Sequence, residues 1–312
     1  MQSCIWICFM VKFPLVMKMS KQFKGSISLL LATVIWGSTF VAQSVCVDYM
    51  GPFTVLSLRC FLAVAMLLAV LFLCNRNEFV KIVTDPRLWK AGIPCGIALF
   101  AATALQQIGL IYTTAGKGGF ITTMYILIVP IFGMFLKQKP PKIVWVSVVI
   151  AAVGLYLLSG AGFTSVNIGD VLMLLCAVAF AVQILIMDRV AGELNSMALN
   201  MAQALVCAVT SGICALLFDS TTTWQGILDC WFPLCWAGIV SMGIAYTLQI
   251  VGQKAIEPTT ASLLMSFESV FAAIFGCLLL NESFTLPEGI GCILVFGAIL
   301  LTQIPFKAKI GS

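Results

Sequence analysis

The 312-residue chain has no histidine at all, and Asp, Glu, Lys and Arg together make up only 9% of it. Without imidazole there is no HExxH zinc site and no Ser-His nucleophile pair, and no cofactor or metal set is recognisable. The segment TTAGKGGF at 113–120 lacks the GxxxxGK[ST] spacing of a phosphate-binding loop, and no nucleotide-binding domain is present. Any work the protein does must therefore draw on a gradient or on its substrate. Cysteine is not scarce, with 13 residues, yet no CxxC pair occurs and most thiols fall in apolar runs, where they pack as small hydrophobes. Residues 1–16, MQSCIWICFMVKFPLV, have neither a basic start nor a small-residue cleavage site, so they do not read as a signal peptide. They read either as a loosely attached tail or as an upstream start ahead of Met17 or Met19.

In place of charge there is apolar sequence: 61% of residues are hydrophobic. A bilayer core needs about 20 apolar residues per helix. Ten runs meet that need, near 26–46, 54–74, 89–110, 115–136, 143–160, 169–189, 197–218, 232–253, 259–280 and 286–304. The expected fold class is an all-α integral membrane protein with ten transmembrane helices. Lys and Arg near helix ends favour the cytoplasmic side. With the N-terminus inside, 15 of the 17 basic residues fall in cytoplasmic segments; Lys117 falls outside and Arg59 within a helix. Both termini are expected in the cytoplasm, and the net charge of +5 reflects this topology and implies no nucleic-acid partner.

The second half of the chain repeats the first. A shift of 143 places Leu105, Gln106 and Gly109 on Leu248, Gln249 and Gly252, and Ile131, Phe132, Gly133 and Leu136 on Ile274, Phe275, Gly276 and Leu279. Five helices per copy is an odd number, so the copies should cross the bilayer in opposite senses. The loop charges agree: Lys137, Lys139 and Lys142 align with a segment carrying Glu282 and Glu288. Inverted repeats are a recurring plan of secondary transporters, with the site between the repeats near the membrane midplane, although channels use inverted symmetry too.

WGSTF at 36–40, Arg59, SLLMSFESVFAAIFGCLLLNESFT at 262–285 and G-x-x-L-V-F-G at 291–297 resemble the EamA family of the drug/metabolite transporter superfamily. The resemblance implies two EamA repeats, 26–160 and 169–304, between cytoplasmic tails 1–25 and 305–312. It also implies a transporter of small metabolites, often an exporter of amino acids or related compounds, in the bacterial inner membrane. Two positions depart from the pattern. Ser269 stands where family members commonly have proline after the glutamate, and Lys139 occupies the place that Glu282 holds in the second repeat.

An ionisable residue at the centre of a membrane helix costs roughly 2.5–3.5 kcal/mol on insertion scales, so each one is a functional candidate. Glu268 could couple transport to protons, hold two helices together by hydrogen bonding, or bind a substrate amine. Arg59 could reach the outer headgroups, pair structurally, or clamp a carboxylate. Thr259, Ser262, Ser266 and Ser269 form a small-residue stripe on the ninth run; Glu268 lies about 100° off it. By the repeat, Tyr125 with Thr122 occupies the face equivalent to that of Glu268, so Tyr125 and Glu268 are expected to share a central cavity. Gln43 is a further lining candidate, and Trp36 could stack on a substrate or simply pack. Gln106 and Gln249 are equivalent by the repeat, which favours a symmetric structural role. The expected partners are a small-molecule substrate, the lipid bilayer and, if Glu268 couples transport, protons. The rival readings are a gradient-independent facilitator or channel, a flippase for a lipid-linked substrate, and, least favoured, a membrane-embedded enzyme.

Overall fold

The computed structural model describes residues 20–138, 140–158, 167–192, 194–219, 222–280 and 286–303. Residues 1–19, Lys139, Glu282 and the tail 305–312, on which several expectations fall, lie outside the described residues. Every regular element among the described residues is helical. The helices are α1 (Lys21–Val47), α2 (Pro52–Cys74), α3 (Phe79–Val83), α4 (Pro86–Gly109), α5 (Ala115–Thr122), α6 (Tyr125–Phe135), α7 (Lys142–Leu158) and α8 (Ile168–Val190). They continue with α9 (Ser196–Phe218), α10 (Trp224–Asp229), α11 (Trp231–Cys235), a π-helix (Trp236–Ala245), α12 (Tyr246–Gln253), α13 (Pro258–Met265), α14 (Phe267–Leu280) and α15 (Leu286–Gln303).

Eight spans are long and apolar enough to cross a membrane, several of them assembled from consecutive helices; Lys142–Leu157 and Gly289–Leu301 are shorter apolar helices. Local chemistry sets where they begin. Pro52, Pro86 and Pro258 occupy first helical positions, where a missing N–H costs nothing. Asn167 and Asp170 form a reciprocal capping box at the start of α8. Leu73, Leu216 and Leu278 are exposed side chains on an apolar outer surface, the pattern of a multi-pass protein whose solvent there is lipid.

Two large apolar clusters form the interior. One gathers Phe120, Tyr125, Ile126, Leu155, Leu263 and Leu264; the other gathers Leu56, Leu67, Leu99, Leu199, Met201 and Ile250. Trp36 and Phe180 pack against both. Helix α1 approaches α14 so closely that a Cβ on Gly37 would lie 2.4 Å from the Phe271 Cβ, which explains the glycine in WGSTF. Gly238, in the π-helix, similarly lets that segment lie on α2, since its Cβ would come within 2.9 Å of the Arg59 carbonyl oxygen.

Two helices are broken at positions related by the 143-residue shift. The span Ala115–Phe135 breaks at Thr123–Met124, and the span from Pro258 to Leu280 breaks at Ser266. Each break is built alike. The Thr123 hydroxyl donates to the Phe120 carbonyl at 2.7 Å, and the Ser266 hydroxyl donates to the Leu263 carbonyl at 2.7 Å. Backbone hydrogen bonds tighten to three-residue spacing beside them, as from Met124 N to Ile121 O and from Ser269 N to Ser266 O. A hydroxyl that bonds back to its own helix competes with the regular ladder and bends it.

Candidate functional site

Between the two apolar clusters lies a cavity of about 30 Å³, room for about one or two waters and too small for a metabolite. Helix α1 contributes Trp36, Thr39, Phe40 and Gln43; α2 contributes Arg59; and α4 contributes Gln106. Tyr125 and Glu268 enter just past the two helix breaks, and Tyr246 and Gln249 come from α12. Five of the six candidates read from the sequence, Glu268, Tyr125, Arg59, Trp36 and Gln43, therefore share this wall. Thr122 does not line it. The break at Thr123–Met124 interrupts the regular helical progression that would align Thr122 with Tyr125, and the Thr122 hydroxyl instead donates to Met173 Sδ at 3.6 Å.

Arg59 and Glu268 are both buried, at 3% and 5% exposure, the first about two turns into its span and the second near the middle of its own. The Arg59 guanidinium donates through Nη1 to Gln43 Oε1, and Gln43 is tied by its own carbonyl to Gln107 Nε2. Arg59 therefore turns inward and does not reach for the headgroups. Among the described residues, the ion pairs are Arg87–Asp85 and Lys117–Asp170, so Arg59 and Glu268 do not neutralise each other. Trp36 meets Tyr246 edge to face at 5.1 Å, which fixes both rings at the wall.

The cavity also collects unmet hydrogen-bonding capacity. Of nine buried side-chain polar atoms without a partner among the described residues, four belong to its wall: Trp36 Nε1, Arg59 Nε, Tyr125 Oη and Gln249 Oε1. Each such atom costs about 1–3 kcal/mol when left unpaired. The residues that carry these four atoms all line the one cavity. Gln106 and Gln249, which the repeat marked as structural, both stand on this wall; their symmetry alone could not distinguish a structural pair from a lining pair. No group of three His, Cys, Asp or Glu side chains capable of holding a metal gathers among the described residues.

The two ends of the bundle differ. Beyond one end of the cavity, Lys117 Nζ meets Asp170 Oδ2 at 2.7 Å and Asn167 donates to the Tyr112 carbonyl at 3.0 Å, closing α5 against α8. At the other end a vestibule of about 450 Å³ opens, lined by residues that include Gln138, Asp188, Gln253, Lys254 and Glu257.

A many-span helical bundle around a small buried polar cavity, with paired helix breaks flanking it, defines the class: a multi-pass membrane transporter. The chain belongs to the EamA-like transporter family, whose model matches it twice, over residues 23–160 and 167–304. An uncharacterized transporter of Archaeoglobus fulgidus is 30% identical over 289 residues, covering 91% of this chain and 87% of that protein. The uncharacterized transporters YoaV and YetK of Bacillus subtilis are 20% and 24% identical, each over 92% of this chain and over 99% and 89% of their own lengths. One solved structure, described only as the crystal structure of a protein, has the same fold, with a TM-score of 0.75 at 19% identity over 90% of this chain and 97% of that one.

Proposed function

We propose that this protein is a secondary transporter of small metabolites, amino acids or related compounds, working as an exporter by alternating access. The observation that carries the reading is the buried cavity itself, where a cation, a carboxyl group and four unpartnered polar atoms surround a space with no internal ion pair. A guanidinium with an unpartnered Nε–H suits a carboxylate, and a carboxyl group on the same cavity wall suits either an ammonium or a proton. In this reading the two family repeats are five-helix halves, 26–160 and 169–304, of opposite membrane orientation, making ten spans with Lys142–Leu157 and Gly289–Leu301 as the shorter ones. The distribution of basic residues supports cytoplasmic termini in this reading, and the family resemblance supports a bacterial inner membrane. The vestibule beside Asp188 and Glu257 then opens to the cytoplasm, while the Lys117–Asp170 pair closes the outer side.

A cavity of about 30 Å³ must enlarge to admit a metabolite. The two breaks, at Thr123 and Ser266, supply hinges on either side of it. Glu268, immediately after the second hinge, is the coupling residue: it takes up a proton on one side of the membrane and releases it on the other. Exchange of labelled amino acids by the purified protein in liposomes tests the transport claim. Saturable exchange of at least one compound is the expected result; none across the panel, or conduction far above carrier rates, would overturn it.

A further inference from the structure

Four amide side chains run in a line from the π-helix to the cavity, and all are buried. Asn200 Nδ2 donates to the carbonyls of Met242 and Gly243, both at 2.9 Å, and to Thr247 Oγ1 at 3.0 Å. Gln203 Nε2 donates to Asn200 Oδ1 at 3.0 Å, Gln183 Nε2 to Gln203 Oε1 at 3.3 Å, and Gln249 Nε2 to Gln183 Oε1 at 3.3 Å. At the far end Gln249 lines the cavity, with Oε1 buried and unpartnered.

The direction of this chain is determined by its first link. A carbonyl oxygen can only accept, and the Thr247 hydroxyl has already committed its proton to the Gly243 carbonyl at 2.7 Å. Asn200 must therefore turn its NH₂ group to the π-helix and its oxygen to Gln203. Each amide after it can satisfy its neighbour in one orientation only: Gln249 gives an Nε2 proton to Gln183, and its Oε1 is the unpartnered end of the chain. Two other residues of the same wall carry unpartnered donors, Trp36 Nε1 and Arg59 Nε.

We infer that Asn200, Gln203 and Gln183 are positioning residues that hold Gln249 as a hydrogen-bond acceptor, so that the carried solute must present an N–H donor there, in addition to an anionic group for Arg59. The inference rests on the transport reading above and adds the requirement for a zwitterion or an equivalent donor-bearing acid. None of the three residues lines the cavity. Their effect on the solute passes through Gln249 alone.

The test is calorimetric binding to the full-length protein in detergent, using matched pairs that differ only in the amine: leucine with 4-methylpentanoate and phenylalanine with 3-phenylpropanoate. Wild type should bind the amine-bearing member at least about tenfold more tightly, because a buried acceptor left unpaired penalises the analogue that lacks the donor. Gln203→Leu should shrink that ratio severalfold while leaving the affinity for the deaminated acid unchanged, a split that general destabilisation would not produce. Gln183→Leu, one link nearer the cavity, should do the same and serves if Gln203→Leu fails to fold. Equal binding of both members by wild type, or an unchanged ratio in the variants, would overturn the inference and leave the transport reading intact. Failure of every compound to bind would overturn the proposed substrate class, and this inference with it.

Discussion

Arg59 and Glu268 illustrate what burial does to single residues. Each is a charge-bearing group at 3% and 5% exposure in a chain with few charges, and each stands out in the sequence for that reason alone. If the Arg59 guanidinium holds a carboxylate, Arg59→Gln should weaken carboxylate-bearing solutes by about tenfold to a hundredfold, given about 1.5–3 kcal/mol for a hydrogen bond to a charged group. Amide or ester analogues without that charge should lose little, and competition against labelled substrate reads the difference. An equal loss for all solutes would assign Arg59 a structural role instead. The polarity of Gln249 was not legible in the same way. Nothing in the order of residues says that Asn200, Gln203, Gln183 and Gln249 meet, because they come from three different spans, and only their packing aligns the amides.

At the scale of helices, hydrophobic runs and terminal prolines carried most of the information. Apolar length locates the eight membrane-long spans and the two shorter apolar helices, and Pro52 and Pro258 mark two of the starts. The breaks at Thr123 and Ser266 were harder to see, since a threonine or serine in a membrane helix more often stays within the regular ladder. The repeat carried the missing signal: the two residues are equivalent, and both hydroxyls bond back three residues. The π-helix Trp236–Ala245 has no counterpart signal in the first half, where the aligned segment of α4 stays α-helical through Pro94. Close packing of α1 on α14 can be tested directly. Gly37→Ala would set a Cβ 2.4 Å from the Phe271 Cβ, and such overpacking typically costs about 1–3 kcal/mol. Thermal unfolding in detergent should show a clear drop. Gly297→Ala, where nothing lies within 4 Å, should leave the midpoint unchanged or raise it. Equal midpoints for the two variants would contradict the close approach.

For the whole molecule, composition alone pointed to the membrane, and duplication to two matched halves, which the family model meets at 23–160 and 167–304. What composition could not reveal is the asymmetry laid over that duplication. One half places Arg59 on the cavity wall, while in the other half Gln203 joins an amide chain that ends at Gln249 on the wall. One end of the bundle is latched by Lys117 and Asp170, and the other holds the open vestibule. In the proposed reading, these unlike walls suit a carrier of a polar, two-ended solute. The central claim is that Glu268 couples movement of that solute to protons. The most direct measurement is uptake of labelled amino acids into liposomes containing purified protein, with and without an imposed pH gradient, for wild type and Glu268→Gln. The account predicts gradient-driven accumulation by wild type, lost in Glu268→Gln while solute exchange persists. Accumulation that ignores the gradient, or that survives in Glu268→Gln, would contradict it.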